Sequence, residues 1–367
     1  MKNNNFIREH GLFTSLVVSM IGIGAFYGPS SLARIVGRDG WISVFIMGLI
    51  LFGILYIINH LMKLNDYSDI VTILNNTYGK VLGDIISLAY AIIMIYVLSI
   101  SLRVFADAIN MYLLQKTPRE FIIIIMIFTG VYLIRGGLVN IVSFNEITFW
   151  IMFVPTIFIL LLNIPNANLT MLLPAFRERP ILYIKGALDI LFLINGFCIV
   201  FVLLPHVIRK ENIVKTFKKS SIFITLFYAI IFIFVISTLS VDQTAERIFP
   251  TITMLKSINT RSGILERWDG LVMALWILFY FTTFCNTYYF SSYIAKKVLK
   301  LEHIKIASIL FIPFIYVAAL YPENMIKIHS TDINMSKMIF IISIIVVIVI
   351  SYLISLFKKK RSIKNES

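Results

Sequence analysis

Long apolar runs recur along the whole chain and are separated by mostly short polar segments. Several of these runs reach 18 residues or more, which is the length that a helix needs to cross about 30 Å of hydrocarbon. Short segments of alternating polarity, which are typical of a membrane β-barrel, are absent. The pattern predicts an all-α polytopic membrane protein with a single transmembrane domain over residues 1–367.

We predict ten transmembrane helices from these runs, which places both termini on the same side of the membrane. No connecting segment is long enough for a soluble domain. The polar start of the chain has no small-residue cleavage site close behind it, so we expect no removed signal peptide. The predicted spans are residues 12–36, 41–62, 84–114, 120–134, 147–164, 183–205, 220–239, 267–290, 304–321 and 337–357.

The charge of the chain supports this class and gives an orientation. Hydrophobic residues make up 59% of the chain, charged residues only 14%, and the formal net charge is +14. The densest basic segments, Arg209–Lys219, Lys296–Lys305 and a tail at 358–367, all fall on the side of the termini. The positive-inside rule predicts that this side is cytoplasmic. The positive charge is thereby explained by topology and contact with the anionic lipid bilayer, and we expect no nucleic-acid partner.

The first span contains an unusual stretch, SMIGIGAFYGPSSLARIVGRDGW, from Ser19 to Trp41. Glycines and a proline fall at mid-membrane depth, where an unwound backbone is tolerated only inside protein or against a watery cavity. A half-helix that begins there presents free N–H groups that suit a carboxylate. The alternative is that the glycines serve close helix packing. We predict that the carboxylate of a small amino acid binds at Gly22, Ile23, Gly24 and Ala25.

The sixth span has a comparable feature near its centre. Its sequence DILFLINGFCIVFVLLP carries Asn195 and Gly196 in an otherwise apolar run. Matching interruptions in the first span of each five-helix half indicate a transporter-like site between inverted repeats. We therefore add Phe192, Asn195 and Gly196 to the predicted ligand site.

Two further spans carry polar side chains at depth. In span 8, Thr282 and Thr283 either line the ligand site or bond to carbonyls of their own helix. In span 3, Arg103 and Asp107 stand four residues apart and so share a helix face. This pair is either a coupling element or a structural ion pair near the outer end. Tyr96 of the same span is predicted to line the cavity.

The sequence argues against catalysis. It has no nucleotide-binding loop, no catalytic triad spacing, no paired catalytic carboxylates and no metal-ligand spacing. Both cysteines, Cys198 and Cys285, fall inside apolar runs and are predicted to be buried thiols. We expect neither an enzyme nor a bound cofactor or metal.

Five stretches of the chain stand out together, namely GIGAFYGPSSLARIVGRDGWIS, DYSDIVTILNNTYGKVLG, NEI at 145–147, RIFPTI at 247–252 and ERWDGLVMALWIL at 266–278. With them the chain resembles the spore germination permease family, the B subunits of germinant receptors, within the amino acid–polyamine–organocation transporter superfamily. The resemblance covers nearly the whole chain.

This resemblance implies a LeuT-like fold of two inverted five-helix repeats, with helices 1 and 6 broken. It implies a protein of the spore inner membrane that acts with an A-type subunit and a lipoprotein C-type subunit. The B subunit would bind a germinant, often an amino acid. Span 5 lacks the cationic residue that some transporters of the superfamily carry there, which favours a receptor over a pump.

Two functions follow as hypotheses. The first is a germinant-sensing subunit that binds a small amino acid at the helix 1/helix 6 break and triggers germination. The second is a secondary amino acid transporter of the same superfamily. Concentrative uptake by this chain alone would favour the second hypothesis.

Overall fold

The computed structural model describes residues 6–22, 24–257, 268–322 and 333–366, together with the side chains of all of these residues except 268, 269, 271 and 360–366. Within these ranges the backbone is almost entirely helical. The β-structure found there is one isolated parallel bridge between Ile7 and Val207. The helical fold expected from the apolar runs is confirmed.

The α-helices are labelled in chain order. Two of them are linked by a 3-10 segment at Phe192–Ile199, and the last two by a π-helical segment at Ile345–Ile350. The helices are α1 Glu9–Met20, α2 Gly24–Val36, α3 Gly40–Leu64, α4 Ile70–Tyr78, α5 Lys80–Tyr112, α6 Arg119–Ile134, α7 Leu138–Leu162, α8 Pro180–Leu191, α9 Val200–Leu203, α10 Ile213–Leu239, α11 Val241–Glu246, α12 Pro250–Lys256, α13 Trp268–Val298, α14 Ile304–Leu310, α15 Ile312–Leu320, α16 Ile333–Ile344 and α17 Ser351–Glu366.

Six helical stretches of the described chain are long and apolar enough to cross a membrane. A shorter apolar stretch, Ile304–Leu320, contains α14 and α15. Several helices extend past the predicted spans, because a helix continues into the polar surface layer while hydropathy marks only its apolar part. The six stretches are Gly24–Leu64, Lys80–Tyr112, Leu138–Leu162, Pro180–His206, Lys210–Leu239 and Ile333–Lys359.

A buried carboxylate organises one end of the bundle. Asp39 is fully buried between α2 and α3, where it accepts hydrogen bonds from the backbone N–H groups of Phe176 and Arg177, each at 3.0 Å. The hydroxyl of Tyr183 donates a third bond at 3.1 Å. A charge at this burial needs such partners. Asp39 therefore fastens both the 163–179 connection and the start of α8 to the junction of α2 and α3.

Candidate functional site

The first membrane helix is interrupted between α1 and α2. Helix α1 ends at Met20, and Ile21 has φ −103° and ψ 82°, which is outside the helical region. Helix α2 begins at Gly24. Ile23, one of the predicted ligand residues, lies outside the described residues. The interruption leaves the last carbonyls of α1 and the first N–H groups of α2 without the usual helical partners.

A second interruption follows α8. Here the chain continues through the 3-10 segment Phe192–Ile199, inside which Ile194 has φ −98° and ψ 22°. The i→i+3 bonds of a 3-10 segment are less favourable than α-helical ones, so a run of this length marks a locally altered helix. This segment packs against α1.

The two interrupted segments touch through glycines. A Cβ atom on Gly196 would lie 1.9 Å from the carbonyl oxygen of Ser19, which is backbone against backbone. A Cβ atom on Gly24 would lie 2.7 Å from Cβ of Leu193. Only residues without a side chain permit these approaches. Packing therefore requires glycine at positions 196 and 24, which the sequence analysis predicted as ligand-site residues.

Side chains from three other helices hold the carbonyls around the first interruption. The hydroxyl of Tyr228 on α10 donates to the Met20 carbonyl at 3.0 Å. The hydroxyl of Thr251 on α12 donates to the Ala25 carbonyl at 2.8 Å. On α13, Thr282 and Thr283 both donate to the Val18 carbonyl, at 3.0 and 3.3 Å. The exposed ends of the broken helix are thus satisfied by protein rather than by lipid.

A small cavity lies between the two interruptions. It leaves about 20 Å³ for the centres of water molecules, which is room for one or two waters. Five of the predicted ligand residues line it, namely Gly22, Gly24, Phe192, Asn195 and Thr283. The other lining residues are Tyr27, Ile100, Ser101, Val104, Leu193 and Ile333.

The remaining predicted residues lie elsewhere. Thr282 and Gly196 are engaged in the contacts with α1 described above. Ala25 lines a separate apolar cavity beside Phe26. Tyr96 is half-buried on α5 but is not among the residues that line the central cavity.

One of the polar side chains that line the cavity is Asn195. Asn195 is 8% exposed, and its amide makes no hydrogen bond with another residue of the described ranges. A buried amide without partners costs free energy unless water or a ligand bonds to it. The Asn195 amide is therefore available for a hydrogen bond to water or to a bound molecule.

A pair of buried amides links three helices. Asn145 of α7 and Asn286 of α13 exchange hydrogen bonds of 2.9 and 3.1 Å. The Asn145 amide also donates to the Ser15 hydroxyl of α1 at 3.1 Å. This assigns a structural role to the first residue of the NEI stretch.

A cluster of aromatic rings packs beside α2. Trp276, fully buried on α13, packs against Phe26, Phe105 and Phe249 with ring centroids 5.3 to 5.7 Å apart. Phe105 also stacks on Tyr280 at 4.3 Å. Phe26 and Phe105 adjoin Tyr27 and Val104, which line the cavity, so this cluster joins α2, α5 and α13 beside the cavity.

Two ion pairs flank the site. Arg103 Nε lies 2.9 Å from Asp107, and its guanidinium also donates to the Ala319 carbonyl at 3.3 Å. Arg119 reaches the other oxygen of Asp107 at 3.3 Å. The second pair joins Asp189 of α8 to Lys337 of α16.

The second pair is close to the cavity and was not predicted. Lys337 stands one turn beyond Ile333, which lines the cavity, and Asp189 stands one turn before Phe192. The hydroxyl of Ser31 on α2 also donates to Asp189. The pair thus joins three elements beside the two interruptions. A carboxylate within the sixth apolar run was the signal available in the sequence.

Other functional candidates were also missed. Tyr27, Tyr228 and Leu193 bound or support the cavity, but tyrosines and leucines are too common in apolar runs to stand out. Of the ERWDG stretch, Glu266 and Arg267 lie outside the described residues.

Comparison with known proteins gives a consistent family. A protein-family model described as "Spore germination protein" matches residues 7–328. Spore germination protein A2 of Bacillus subtilis (strain 168) is 24% identical over 309 residues, which is 83% of this chain and 84% of that protein. Spore germination protein YndE of the same organism is 27% identical over 288 residues, 78% of each chain.

A solved structure gives the fold. The crystal structure of MhsT in complex with L-phenylalanine matches with a TM-score of 0.62, covering 95% of this chain and 97% of that chain at 12% sequence identity. The match gives the fold as LeuT-like, as expected from the sequence. The chain is accordingly a multi-pass membrane protein.

Proposed function

Because this chain belongs to the spore germination protein family, we propose that it is the germinant-sensing membrane subunit of a spore germination receptor. Its ligand would be a small amino acid bound between the two helix interruptions. The observation that carries this proposal is the central cavity, where Gly22, Gly24, Phe192, Asn195 and Thr283 converge.

The proposed chemistry uses backbone and amide groups. The first N–H groups of α2 suit the ligand carboxylate, because a helix N-terminus combines free donors with a positive dipole end. The Asn195 amide supplies a further donor or acceptor without having to break an existing hydrogen bond. Carbonyls around Ile21 and Phe192 would accept from the ammonium group.

The proposed mechanism is a shift between two states. The cavity has room for one or two waters, so an amino acid binds only after the helices around it move apart. A ligand that binds the opened state more tightly shifts the population towards it. Loss of the contacts of Tyr228 and Thr283 with α1 is the local change that such opening requires.

We place the protein in the spore inner membrane or the cell membrane, with ten spans and both termini in the cytoplasm. Its proposed partners are an A-type subunit and a lipoprotein C-type subunit, which would read the shift. The Arg103–Asp107 pair is proposed as a structural lock, because its cation is also tied to the Ala319 carbonyl of α15.

A substitution at Gly24 tests the site. We expect Gly24→Val to abolish germination with single amino acids, because its Cβ would already lie 2.7 Å from Leu193. Gly53→Val is the matched control, since a Cβ at Gly53 meets nothing within 4 Å. Spores that carry each variant are challenged with a panel of single amino acids, and the amount of protein in the membrane is measured.

The result separates the hypotheses. A normal response of Gly24→Val spores at normal protein level would contradict the site. The fold shared with MhsT supports a second candidate, a secondary amino acid transporter. Concentrative uptake by this chain alone in proteoliposomes, with an unchanged germination response of spores that lack it, would favour the transporter.

A further inference from the structure

A groove runs between α3 and α10, away from the central cavity. Its floor is made of small residues, namely Gly48, Ser221 and Thr225. A Cβ on Gly48 would lie 1.9 Å from the Thr225 hydroxyl, so the glycine lets the two helices approach closely at the floor. Large apolar side chains form the walls, namely Phe45, Leu49, Phe52, Ile222 and Leu226.

The groove faces outward from the bundle. Leu49 is 74% exposed, and Ile222 and Leu226 are each nearly half exposed. In a membrane protein such side chains face lipid. The groove holds about 560 Å³, which is within the range of about 300–1,000 Å³ that ligand sites occupy.

One end of this apolar groove is charged. Lys218 lines the groove in the second turn of α10, near the membrane surface. Within the described part of the chain, its ammonium group makes no ion pair. Lysine side chains near helix ends reach the headgroup layer while their stems lie along apolar surface. An apolar trough that ends in a cation without an ion pair matches a molecule with a hydrocarbon chain and an anionic head.

We infer that this groove binds one anionic phospholipid. An acyl chain lies over Gly48 between the aromatic and aliphatic walls, and the phosphate accepts a hydrogen bond from the Lys218 ammonium group. Basic pockets between membrane helices near the surface are suited to such headgroups. A helix of a partner protein fits less well, because a helix is about 10–12 Å across and the groove extends only two turns along α10.

Native mass spectrometry of the full-length chain tests the inference. The protein is released from mixed micelles that contain equal amounts of phosphatidylglycerol and phosphatidylcholine, and the retained lipid is counted. We expect one phosphatidylglycerol to be retained preferentially. Lys218→Gln should weaken its apparent affinity roughly fivefold, the equivalent of one lysine near a membrane surface. Leu49→Trp should abolish retention by filling the groove.

Matched controls keep the test specific. Lys305→Gln removes an exposed charge from another helix, and Ile151→Trp adds the same bulk at another exposed apolar position. Both controls should retain the lipid. Equal retention of the two lipids, or an equal loss in Lys218→Gln and Lys305→Gln, would overturn the inference. Cross-linking from position 49 to a protein partner instead of lipid in intact membranes would also overturn it.

Discussion

Single polar residues hold the helices of this protein together at depth. Asp39, Asp189 and Asn145 each bind groups from another element, and none of them is left facing hydrocarbon. In a low-dielectric interior, the net stabilisation from such a contact is small. Removing one partner costs more free energy than that, because the other partner is left buried without a hydrogen bond or counter-charge. Loss of one partner should therefore be more harmful than loss of both.

The pair of Asp189 and Lys337 gives a measurable case. Their side chains are 21% and 18% exposed, so Lys337→Gln leaves a largely buried carboxylate without its cation, although the Ser31 hydroxyl still donates to it. We expect a loss of about 2 kcal/mol in unfolding free energy, seen as a lower midpoint of thermal unfolding in detergent. The double variant with Asp189→Asn should recover part of that loss, which a double-mutant cycle would measure.

An exposed ion pair serves as the control. Lys297 lies 3.3 Å from Asp69 but is 44% exposed, so Lys297→Gln should change the midpoint very little. A cycle for Asp189 and Lys337 with no coupling energy would mean that the pair does not link α8 to α16.

At the scale of elements, glycines lie where the interrupted helices meet, and they differ in how much space a side chain would find there. Gly196 faces the backbone of α1, whereas Gly28 faces only the end of the Leu193 side chain at 2.8 Å. A side-chain end can move aside, but two backbones cannot separate unless whole helices shift. The same substitution should therefore have very different effects at the two positions.

We expect Gly196→Ala to cost about 3 kcal/mol or more and to reduce sharply the amount of folded protein. Gly28→Ala should cost about 1 kcal/mol or less. The yield of monodisperse protein after detergent extraction and size-exclusion chromatography measures both. Comparable yields of the two variants would show that α1 and the Phe192–Ile199 segment do not cross closely.

Helices and their interruptions differ in how far sequence predicts them. Long apolar runs predicted the membrane helices because hydropathy reports directly on the lipid environment. Helix α7 begins at Leu138, well before the predicted span at 147, because Asn140, Ser143 and Asn145 lower its hydropathy. Asn145 is nevertheless buried against Asn286, a pairing between distant segments that no local pattern encodes.

The candidate site also combines residues that have a local signal in the sequence with residues that have none. Gly22, Gly24, Phe192, Asn195 and Thr283 share one cavity, and all five were selected from local breaks in apolar pattern. Residues recruited from other helices, such as Tyr228, carry no local signal because their role depends on which helices pack together. The short amphipathic helix α4 was likewise not predicted, since its apolar face pairs with α5 rather than with lipid.

At the scale of the whole molecule, the segment before α1 is fastened to the loop after α9, on the side of the bundle where α1 begins. The Ile7 N–H donates to the His206 carbonyl at 2.9 Å, and the Ile208 N–H donates to the Ile7 carbonyl at 3.1 Å.

Removing one of these bonds should loosen that side. Val207 has extended backbone, with φ −69° and ψ 131°, so a proline can follow it. Ile208→Pro deletes the N–H donor, and we expect local opening to rise about fivefold, which corresponds to about 1 kcal/mol. The readout is maleimide labelling of Cys198, which is fully buried, in a Cys285→Ser background.

Ile208→Ala is the control, because it shortens an exposed side chain but keeps the N–H group. Its labelling rate should equal that of the unsubstituted chain. Equal rates for the proline and alanine variants would show that the bridge to Ile7 does not govern access to Cys198.

In the germinant-sensing role proposed above, the tightness of the central cavity would have a consequence for the dormant spore. A pocket that was open at rest would be occupied in proportion to any passing solute, and a stray encounter would count as a signal. With space for one or two waters, a ligand first has to wait for a rare open conformation, and its apparent affinity falls by the fraction of molecules in that state. The small cavity would thereby set a concentration threshold for the proposed response, which trades sensitivity for protection against premature germination.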